Sequence, residues 1–229
     1  MKISVIEPRA ELLTSEDYIQ GIGKHIEVCG RTCKKSEDKI TDDSWKLFVR
    51  TLARMQHLSV FEHALITFRF VCSRACSHQL VRHRIGSYSQ ESMRYCDYSG
   101  GLLRVIAPRF LKLPCLEYEV FQENDIFVDS ERFAASADQA IWLNSVHFSF
   151  LNYARLVHKG VRAEDARSLL PEATKTEVVA SFNLRQWIHV FNERALNKAA
   201  QDEVRLLCLS AYNTLNAMIP EFFADTVNK

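Results

Sequence analysis

Residues 79–95, QLVRHRIGSYSQESMRY, carry the side chains best suited to bind an anionic ligand. Arg82, Arg84 and Arg94 lie there, with serines between them. A guanidinium donates paired, charge-assisted hydrogen bonds that match a phosphate, and a serine hydroxyl adds a small donor close to the backbone. Gly86 permits a tight turn or a close approach of a ligand to the main chain. The segment is therefore either a phosphate site or a solvated basic loop that pairs with acids elsewhere, and its composition leaves both open.

Cysteine and histidine side chains offer weaker chemistry. Cys72, Cys76 and His78 are close in sequence, but they lack a clear fourth ligand, and thiols at a strand-to-helix junction are typically buried. We therefore predict no metal site. The chain has seven cysteines, an odd number without the spacing of a disulfide framework. That pattern predicts reduced thiols in a reducing compartment.

Regular elements must hold these groups, and hydrophobic periodicity places the elements. Apolar residues recur at helical spacing from Trp45 to Met55, directly after the helix-capping residues 42–44. Residues 64–72 alternate between apolar and polar side chains, as a half-buried strand does. A few strands among many helices, not strictly alternating, predict an α+β protein. The full prediction comprises strands over residues 2–7, 64–72 and 176–183, helices over 45–55, 131–159, 163–170, 184–195 and 204–218, and an irregular excursion over 101–128.

Length and charge limit the class of protein. The chain of 229 residues suits one core, so we predict a single domain over residues 1–229. Its net charge of +1 provides no overall field that would favour nucleic acid or a membrane, so an anion site must be a local cluster. No stretch approaches the roughly 20 apolar residues of a membrane span, and the N-terminus lacks the apolar core of a signal peptide. We expect a cytoplasmic protein with neither a nucleic-acid nor a membrane partner.

Four segments, in this order, resemble the motifs of one enzyme family. The pattern R-H-R, seven residues, then S resembles the signature of flavin-dependent thymidylate synthases. Three further segments resemble other elements of that family, and together the similarity spans about residues 25–205. The four segments are HLSVFEH (57–63), Arg82-His83-Arg84 with Ser92, ARSLLP (166–171) and FNLRQWIHVFNER (182–194).

The resemblance implies a reaction and a set of site residues. The enzyme would methylate dUMP, with methylenetetrahydrofolate as the carbon donor and FAD, reduced by NADPH, as the hydride carrier. In catalysis, Arg194 would polarise the uracil ring, Arg167 is a second candidate, and His57 would be linked to folate use. Matching positions give the flavin contacts as Ser59, Arg82, His83, Arg84, Gln90, Asn183, Arg185 and His189. They give the nucleotide contacts as Gln79, Leu80, Val81, Arg82, Gln90, Glu91, Ser92, Met93, Arg94, Arg167 and Arg194.

The chain departs from the family's pattern at two places. Ser89-Gln90 stands where the family usually has Asn-Glu, so the side chain at position 90 can hydrogen-bond a ribose but brings no charge. Lys198 stands where a histidine is often found. Both departures bear on fine tuning rather than on the reaction. Glu62, inside the first segment, is expected to be functional or to pair with the arginines.

The implied chemistry uses no protein nucleophile. A preorganised cation would stabilise the negative charge that develops on the pyrimidine, and Arg194 is permanently charged and planar. Ser92 has no evident activating base, so we interpret it as a nucleotide ligand. Arg185 and His189 share one face of a helix, whereas Arg194 lies about 180° away on an ideal helix. We therefore expect active sites between subunits, in the homotetramer that the resemblance implies, with an antiparallel sheet flanked by helices.

Two rival functions make different predictions. A nucleic-acid-binding module would use Arg82, Arg84 and Arg94 on phosphates, lose affinity steeply with salt and bind no chromophore. The near-neutral charge and the lack of a basic stripe argue against it. A flavoprotein of the same fold with another substrate would keep flavin and fail to bind dUMP.

Overall fold

Nine strands and seven α-helices are formed by residues 1–122 and 125–227, the part of the chain that the structure, a computed structural model, describes. The strands are β1 (Lys2–Val5), β2 (Arg9–Leu12), β3 (Leu65–Ser73), β4 (Ser87–Gln90), β5 (Leu102–Val105), β6 (Glu117–Gln122), β7 (Asp125–Val128), β8 (Glu131–Arg132) and β9 (Lys175–Asn183). The helices are α1 (Glu16–Thr32), α2 (Ser44–Arg54), α3 (Arg74–Leu80), α4 (Ala137–His158), α5 (Ala163–Ala166), α6 (Leu184–Val190) and α7 (Asp202–Met218).

The chain divides into two compact units, each assembled from three separate stretches. The first unit contains Met1–Pro8, Val71–His78 and Gln90–Val178. The second contains Arg9–Phe70, Gln79–Ser89 and the chain from Val179 onward. The single domain over residues 1–229 stays a prediction.

A five-stranded sheet forms the framework of the first unit, in the order β5-β1-β6-β7-β8. The β1–β5 pair is parallel, and the other three pairs are antiparallel. Helix α4 packs on β1 and β6, and its Leu143, Phe150 and Tyr153 join Ile3 and Tyr118 in one buried cluster. Burying such side chains supplies the main driving force for folding of this unit.

A second sheet has the order β2-β3-β9-β4, and its two long strands contribute residues to both units. Alternate side chains of β3 are buried from Leu65 to Phe70, as the sequence predicts, whereas Val71, Cys72 and Ser73 are all buried. In the second unit they pack around Trp187 of α6, which is fully buried and donates a hydrogen bond from Nε1 to the Ile66 carbonyl at 3.0 Å. The rings of Phe68, Phe182 and Phe191 lie 4.7 to 5.4 Å from that of Trp187. The indole is therefore a core residue that anchors α6 to the sheet.

The α+β class and the mainly antiparallel pairing of the first sheet are confirmed, but three sequence predictions are wrong in detail. The irregular excursion over 101–128 contains β5, β6 and β7. These strands have only 4 to 6 residues, too few for an alternation to show beside the intervening prolines. The helix expected from residue 131 begins at 137, where Ser136 and Gln139 form a capping box. The helix expected over 184–195 changes at residue 191 into a π-helical turn.

No helix in the described part of the chain is long and apolar enough to cross a bilayer.

Candidate active site

The predicted site residues fall into two groups, one in each unit. Each group is held by its own hydrogen bonds and ion pairs. The second unit contains His57, Ser59, Gln79, Leu80, Val81, Arg82, His83, Arg84, Asn183, Arg185, His189 and Arg194. The first unit contains Gln90, Glu91, Ser92, Met93, Arg94 and Arg167.

In the second unit, Gln79, His83, His189 and Arg194 form what we name the arginine–histidine cluster. The Arg194 Nε donates to the His83 Nε2 at 3.1 Å, and its Nη1 donates to the Gln79 Oε1 at 3.4 Å. The Gln79 Nε2 in turn donates to the Gln201 Oε1 at 2.9 Å. The rings of His83 and His189 meet edge to face, with centroids 5.6 Å apart. Two neutral acceptors therefore orient the Arg194 guanidinium without cancelling its charge.

His83 is held in the neutral state that this contact requires. The side chain is buried, and burial, followed by the charges of Arg194 and His189, lowers its pKa from 6.5 to about 4. A neutral imidazole has one acceptor and one donor nitrogen. Since Nε2 accepts from Arg194, the proton resides on Nδ1.

Tyr88 and Gly86 hold the turn that carries His83. The Tyr88 hydroxyl donates to the carbonyls of Leu80 at 2.8 Å and His83 at 2.7 Å, while its ring packs edge to face on Phe182. A Cβ on Gly86 would overlap the Phe182 ring, so a glycine is required for the turn to approach β9. The sequence predicted that Gly86 allows a tight turn or the close approach of a ligand. In the structure the group that lies close to Gly86 is the Phe182 ring of β9. Sequence reasoning missed Tyr88, whose position within the motif gave no separate signal.

The π-helical turn Phe191–Leu196 decides where Arg194 lies. In a π-helix residue i bonds residue i+5, so residues five apart stack on one face. Arg194 lies in this turn and His189 lies in α6 directly before it, and both contact the His83 side chain. The sequence-based expectation, which placed Arg194 about 180° from Arg185, was that one helix would not present Arg185, His189 and Arg194 together, and for His189 and Arg194 it is wrong. The ideal α-helical rotation on which it rested does not apply through this turn.

Arg82 and Arg84 flank His83 and remain available to a ligand. Both are exposed, and neither side chain has a hydrogen bond or ion pair with any residue that the structure describes. Two adjacent uncompensated guanidiniums suit a ligand with more than one phosphate, because each can donate a fork of hydrogen bonds. Arg82 and Arg84 therefore do not pair with acidic side chains of the described residues, as the alternative of a solvated basic loop would require.

The remaining candidates of the second unit lie on the 3-10 turn Leu58–His63 and at the start of α6. Glu62 forms an ion pair with the Arg185 Nη1 at 2.6 Å, so its partner is an arginine outside the basic segment 79–95. Asn183 caps α6, because its Oδ1 accepts from the Gln186 backbone nitrogen at 2.8 Å. Its Nδ2 is the atom left for a ligand. Ser59 and His57 are exposed on and before the 3-10 turn.

In the first unit, Arg94, Arg162, Glu164 and Arg167 form what we name the arginine–glutamate cluster. The Nε and Nη2 of Arg94 both bond the Glu164 Oε2 at 2.9 Å, and the Arg162 Nη2 pairs with the other carboxylate oxygen. The Arg167 Nε donates to the Glu164 backbone carbonyl at 3.0 Å. Sequence reasoning found Arg94 and Arg167 but missed Arg162 and Glu164. Their spacing of three to five residues from Arg167, on one short helical stretch, was the available signal.

Gln90, one of the two departures from the family's pattern, has a fixed orientation. Its Nε2 donates to the Ser77 Oγ at 2.9 Å and to the Thr176 Oγ1 at 3.3 Å. Ser77 uses its only hydroxyl hydrogen on the Arg74 carbonyl at 2.8 Å, so it can only accept from Gln90. The amide oxygen of Gln90 is therefore the atom free to accept from a ligand.

Three predicted nucleotide contacts have side chains that are already engaged. Glu91 accepts from the Tyr98 hydroxyl at 2.9 Å and from the Lys175 Nζ at 3.0 Å. Burial and the hydrogen bond to Glu91 raise the pKa of Tyr98. The side chains of Leu80 and Met93 are buried. If these residues contact a ligand, only their main chain is available for it.

Among the residues that the structure describes, no group of three or more histidine, cysteine or acidic side chains could hold a metal ion. Cys72 and Cys76 are buried and not disulfide-bonded, and their burial is as their junction position predicts. His78 is exposed and lies 3.7 Å from a carboxylate oxygen of Glu172.

These features define an α+β protein with two arginine clusters, each suited to an anionic ligand. A family model described as thymidylate synthase complementing protein matches residues 16–221. A flavin-dependent thymidylate synthase of Geobacter sulfurreducens is 34% identical over 189 residues, covering 82% of this chain and 72% of that protein. One from Mycobacterium marinum is 32% identical, covering 87% and 78%, and one from Thermococcus onnurineus is 37% identical, covering 65% and 53%. The chain therefore belongs to this family of enzymes, the flavin-dependent thymidylate synthases.

A solved structure shares the fold. The UMP/dUMP methylase PolB from Streptomyces cacaoi, bound with 5-Br dUMP, superposes with a TM-score of 0.67. The two chains are 22% identical, and the match covers 97% of this chain and 95% of PolB. At this identity the similarity establishes the common architecture.

Proposed function

We propose that the enzyme methylates dUMP to dTMP, taking a one-carbon unit from methylenetetrahydrofolate and a hydride from FAD that NADPH has reduced. Arg194 carries the proposal, because a permanent cation held by two neutral acceptors is suited to stabilise charge on a pyrimidine carbonyl. The family names and the nucleotide bound to PolB support dUMP as the substrate.

The residues of the second unit fit FAD. Its diphosphate calls for paired cationic donors, and Arg82 and Arg84 are exposed without an internal partner among the described residues. Arg185, His189 and the free Nδ2 of Asn183 add donors along α6. Once reduced, bound FAD supplies the hydride that completes the methyl group.

Arg194 is proposed to bind a carbonyl oxygen of the uracil ring. Negative charge grows there as C5 attacks the one-carbon unit, so the guanidinium stabilises the transition state more than the ground state. His83 and Gln79 hold the guanidinium in place beforehand, so little reorganisation is needed during the reaction. The neutrality of His83 matters, since a cation at that position would repel Arg194.

The arginine–glutamate cluster is proposed to bind the nucleotide's phosphate through Arg94 and Arg167. The Arg167 Nε is fixed by the Glu164 carbonyl, which leaves both terminal nitrogens for a ligand. The Ser92 hydroxyl, as donor or acceptor, and the Gln90 amide oxygen, as acceptor, are proposed as further contacts of the nucleotide. Gln79, Leu80 and Val81 are proposed to contact it as well, Leu80 through its main chain. His57 is proposed to act in folate use.

A cysteine nucleophile is not needed in this scheme, and Cys115 is unsuited to be one. It follows Leu113-Pro114 in an otherwise suggestive sequence, yet burial and the neighbouring Glu7 raise the pKa of its thiol. A thiol with a raised pKa is less often ionised, and the thiolate is the nucleophile. The proposed activation of uracil therefore relies on charge stabilisation.

The first test is spectroscopic. The purified protein, supplied with FAD, is expected to show flavin absorbance that shifts when dUMP is titrated. Arg194→Ala is expected to keep the flavin spectrum and to lose dUMP-dependent oxidation of the reduced flavin by about 100-fold or more, as removal of a transition-state donor does.

Arg50→Ala, an exposed arginine of α2, is the control for loss of a positive charge. A protein that takes up no FAD would overturn the proposal and leave the arginine clusters to another phosphate ligand. Flavin uptake without any response to dUMP would identify a flavoprotein with a different substrate. Binding to nucleic acid that weakens steeply with salt, without flavin, would favour the nucleic-acid-binding module.

A further inference from the structure

Glu164 contacts three arginines of the first unit. Its side-chain oxygens pair with Arg94 and Arg162, and its backbone carbonyl accepts from Arg167. The Glu164 side chain is 20% exposed, against 50% for Arg94 and 74% for Arg162. The carboxylate is thus more buried than the two guanidiniums with which it pairs.

The contact with Arg94 uses an edge of the guanidinium that carries two donors and can bind phosphate through both. Nε and Nη2 form one of the two-donor edges of the side chain, and both point at the same Glu164 oxygen at 2.9 Å. A phosphate can take this edge only if the carboxylate leaves it. Arg167, in contrast, already has both terminal nitrogens free of any described partner.

Charge decides which ligand can make that exchange. Arg94, Arg162 and Arg167 carry three positive charges against the single negative charge of Glu164. A phosphate monoester carries up to two negative charges near neutral pH. It therefore gains more from the three guanidiniums than the carboxylate it replaces, whereas a monoanion gains no more and a neutral ligand gains nothing.

We infer that Glu164 is the internal counter-ion of the phosphate site and that a dianionic phosphate must displace it from Arg94 and Arg162. The inference rests on the proposed function for the identity of the substrate. Glu164 acts as a specificity-determining residue, because it sets a charge threshold that nucleoside monophosphates pass and nucleosides or monoanions do not. Arg162, released by the same exchange, becomes a third phosphate-binding arginine.

Calorimetric titration of the FAD-loaded protein tests the inference with Glu164→Gln. The substitution keeps the shape of the side chain and removes the competing charge. We expect dUMP and inorganic phosphate to bind about 3- to 10-fold more tightly, as expected when two partly exposed ion pairs no longer have to be broken. Deoxyuridine, which lacks the phosphate, is expected to bind unchanged.

Asp165→Asn is the matched control. It removes an equal charge one residue away, and the Asp165 side chain has no hydrogen bond or ion pair with a described residue. Equal tightening in both variants would show a general charge effect and overturn the inference. Unchanged or weaker phosphate binding in Glu164→Gln, with an unchanged unfolding midpoint, would show that Glu164 only orients the arginines, which also overturns it.

Arg162→Gln in the Glu164→Gln background gives an independent reading. Loss of the gained affinity is expected, because Arg162 would no longer reach the phosphate; retention of the full gain would exclude Arg162 from the site. If the wild-type protein binds no dUMP, the proposed function fails, yet inorganic phosphate alone still compares Glu164→Gln with the wild type and decides the inference.

Discussion

His83 must stay neutral to accept the hydrogen bond from Arg194, because a protonated imidazole has no free lone pair. The burial of the ring, followed by the neighbouring Arg194 guanidinium, favours that state. The arrangement makes a buried histidine serve as an uncharged support for an arginine. A carboxylate in its place would hold Arg194 more strongly but would neutralise the charge on which the proposed chemistry depends.

This support makes stability depend on pH. The unfolded chain protonates a histidine near pH 6.5, whereas folded His83 resists protonation down to about pH 4. The unfolded state therefore binds more protons between these values, and stability falls as the pH falls through that window. From pH 7.5 to 5 the loss attributable to His83 is about 2 kcal/mol.

Urea unfolding at pH 7.5 and 5 measures it, with His83→Gln as the reference. The Gln oxygen can still accept from Arg194 but does not titrate, so the pH-dependent loss should be smaller by about that amount. An equal loss in the wild type and the variant would mean that His83 does not control this pH dependence.

At the scale of elements, the turn at residues 81–86 depends on the absence of one side chain. Gly86→Ala would place a Cβ inside the Phe182 ring and close to the Ser181 carbonyl. We expect about 1 to 3 kcal/mol of lost stability, since overpacking forces neighbours to shift. Because His83 is on the same turn, flavin binding is expected to weaken with it.

Gly21→Ala is the matched control. Gly21 lies inside α1, and a Cβ there meets no atom within 4 Å. The substitution is expected to stabilise the protein by about 0.5 to 1 kcal/mol, because alanine is the better helix former. Both values come from denaturant unfolding. A Gly86→Ala protein as stable as the wild type would contradict the packing that the structure shows.

The sequence predicted several of the elements whose side chains repeat over many residues, although the 17-residue helix α1 was missed. Strand β9 and helix α7 have long, regular apolar patterns, and both were located correctly. Short strands such as β7 offer too few residues for a period. The π-helical turn was missed because hydrophobic periodicity assumes the rotation of an α-helix. A π-helical turn holds one more residue per hydrogen-bonded ring, so the residues that follow it point in directions that this period does not predict.

The site was predicted to a similar degree and for a similar reason. Arginines within a motif can be found from residue type and spacing, as Arg94 and Arg194 were. The partners that orient them come from elsewhere in the chain, as the Arg94–Glu164 pair shows with its members 70 positions apart. The spacing of Glu164 from Arg167 could have drawn attention to Glu164, but its pairing with Arg94 depends on the fold and was not predicted.

At the scale of the whole molecule, the proposed homotetramer with active sites between subunits needs its own test. The rotation argument from an ideal helix no longer supports it, because Arg194 and His189 both contact His83. What remains is the proposal that Arg167 and Arg194 both serve the reaction. Subunits that contribute different residues to one site can complement each other.

Arg167→Ala and Arg194→Ala are each expected to lower turnover by about 100-fold or more, as loss of a charged transition-state or substrate contact does. After subunit exchange between the two variants, some of the sites formed between chains would contain an intact Arg167 from one chain and an intact Arg194 from the other. Activity should therefore recover in part. A mixture of Arg194→Ala with the double variant is the control, since no site there regains Arg194. If exchange is verified by mass and activity still does not recover, both arginines of each site come from one chain, and the interfacial arrangement is wrong.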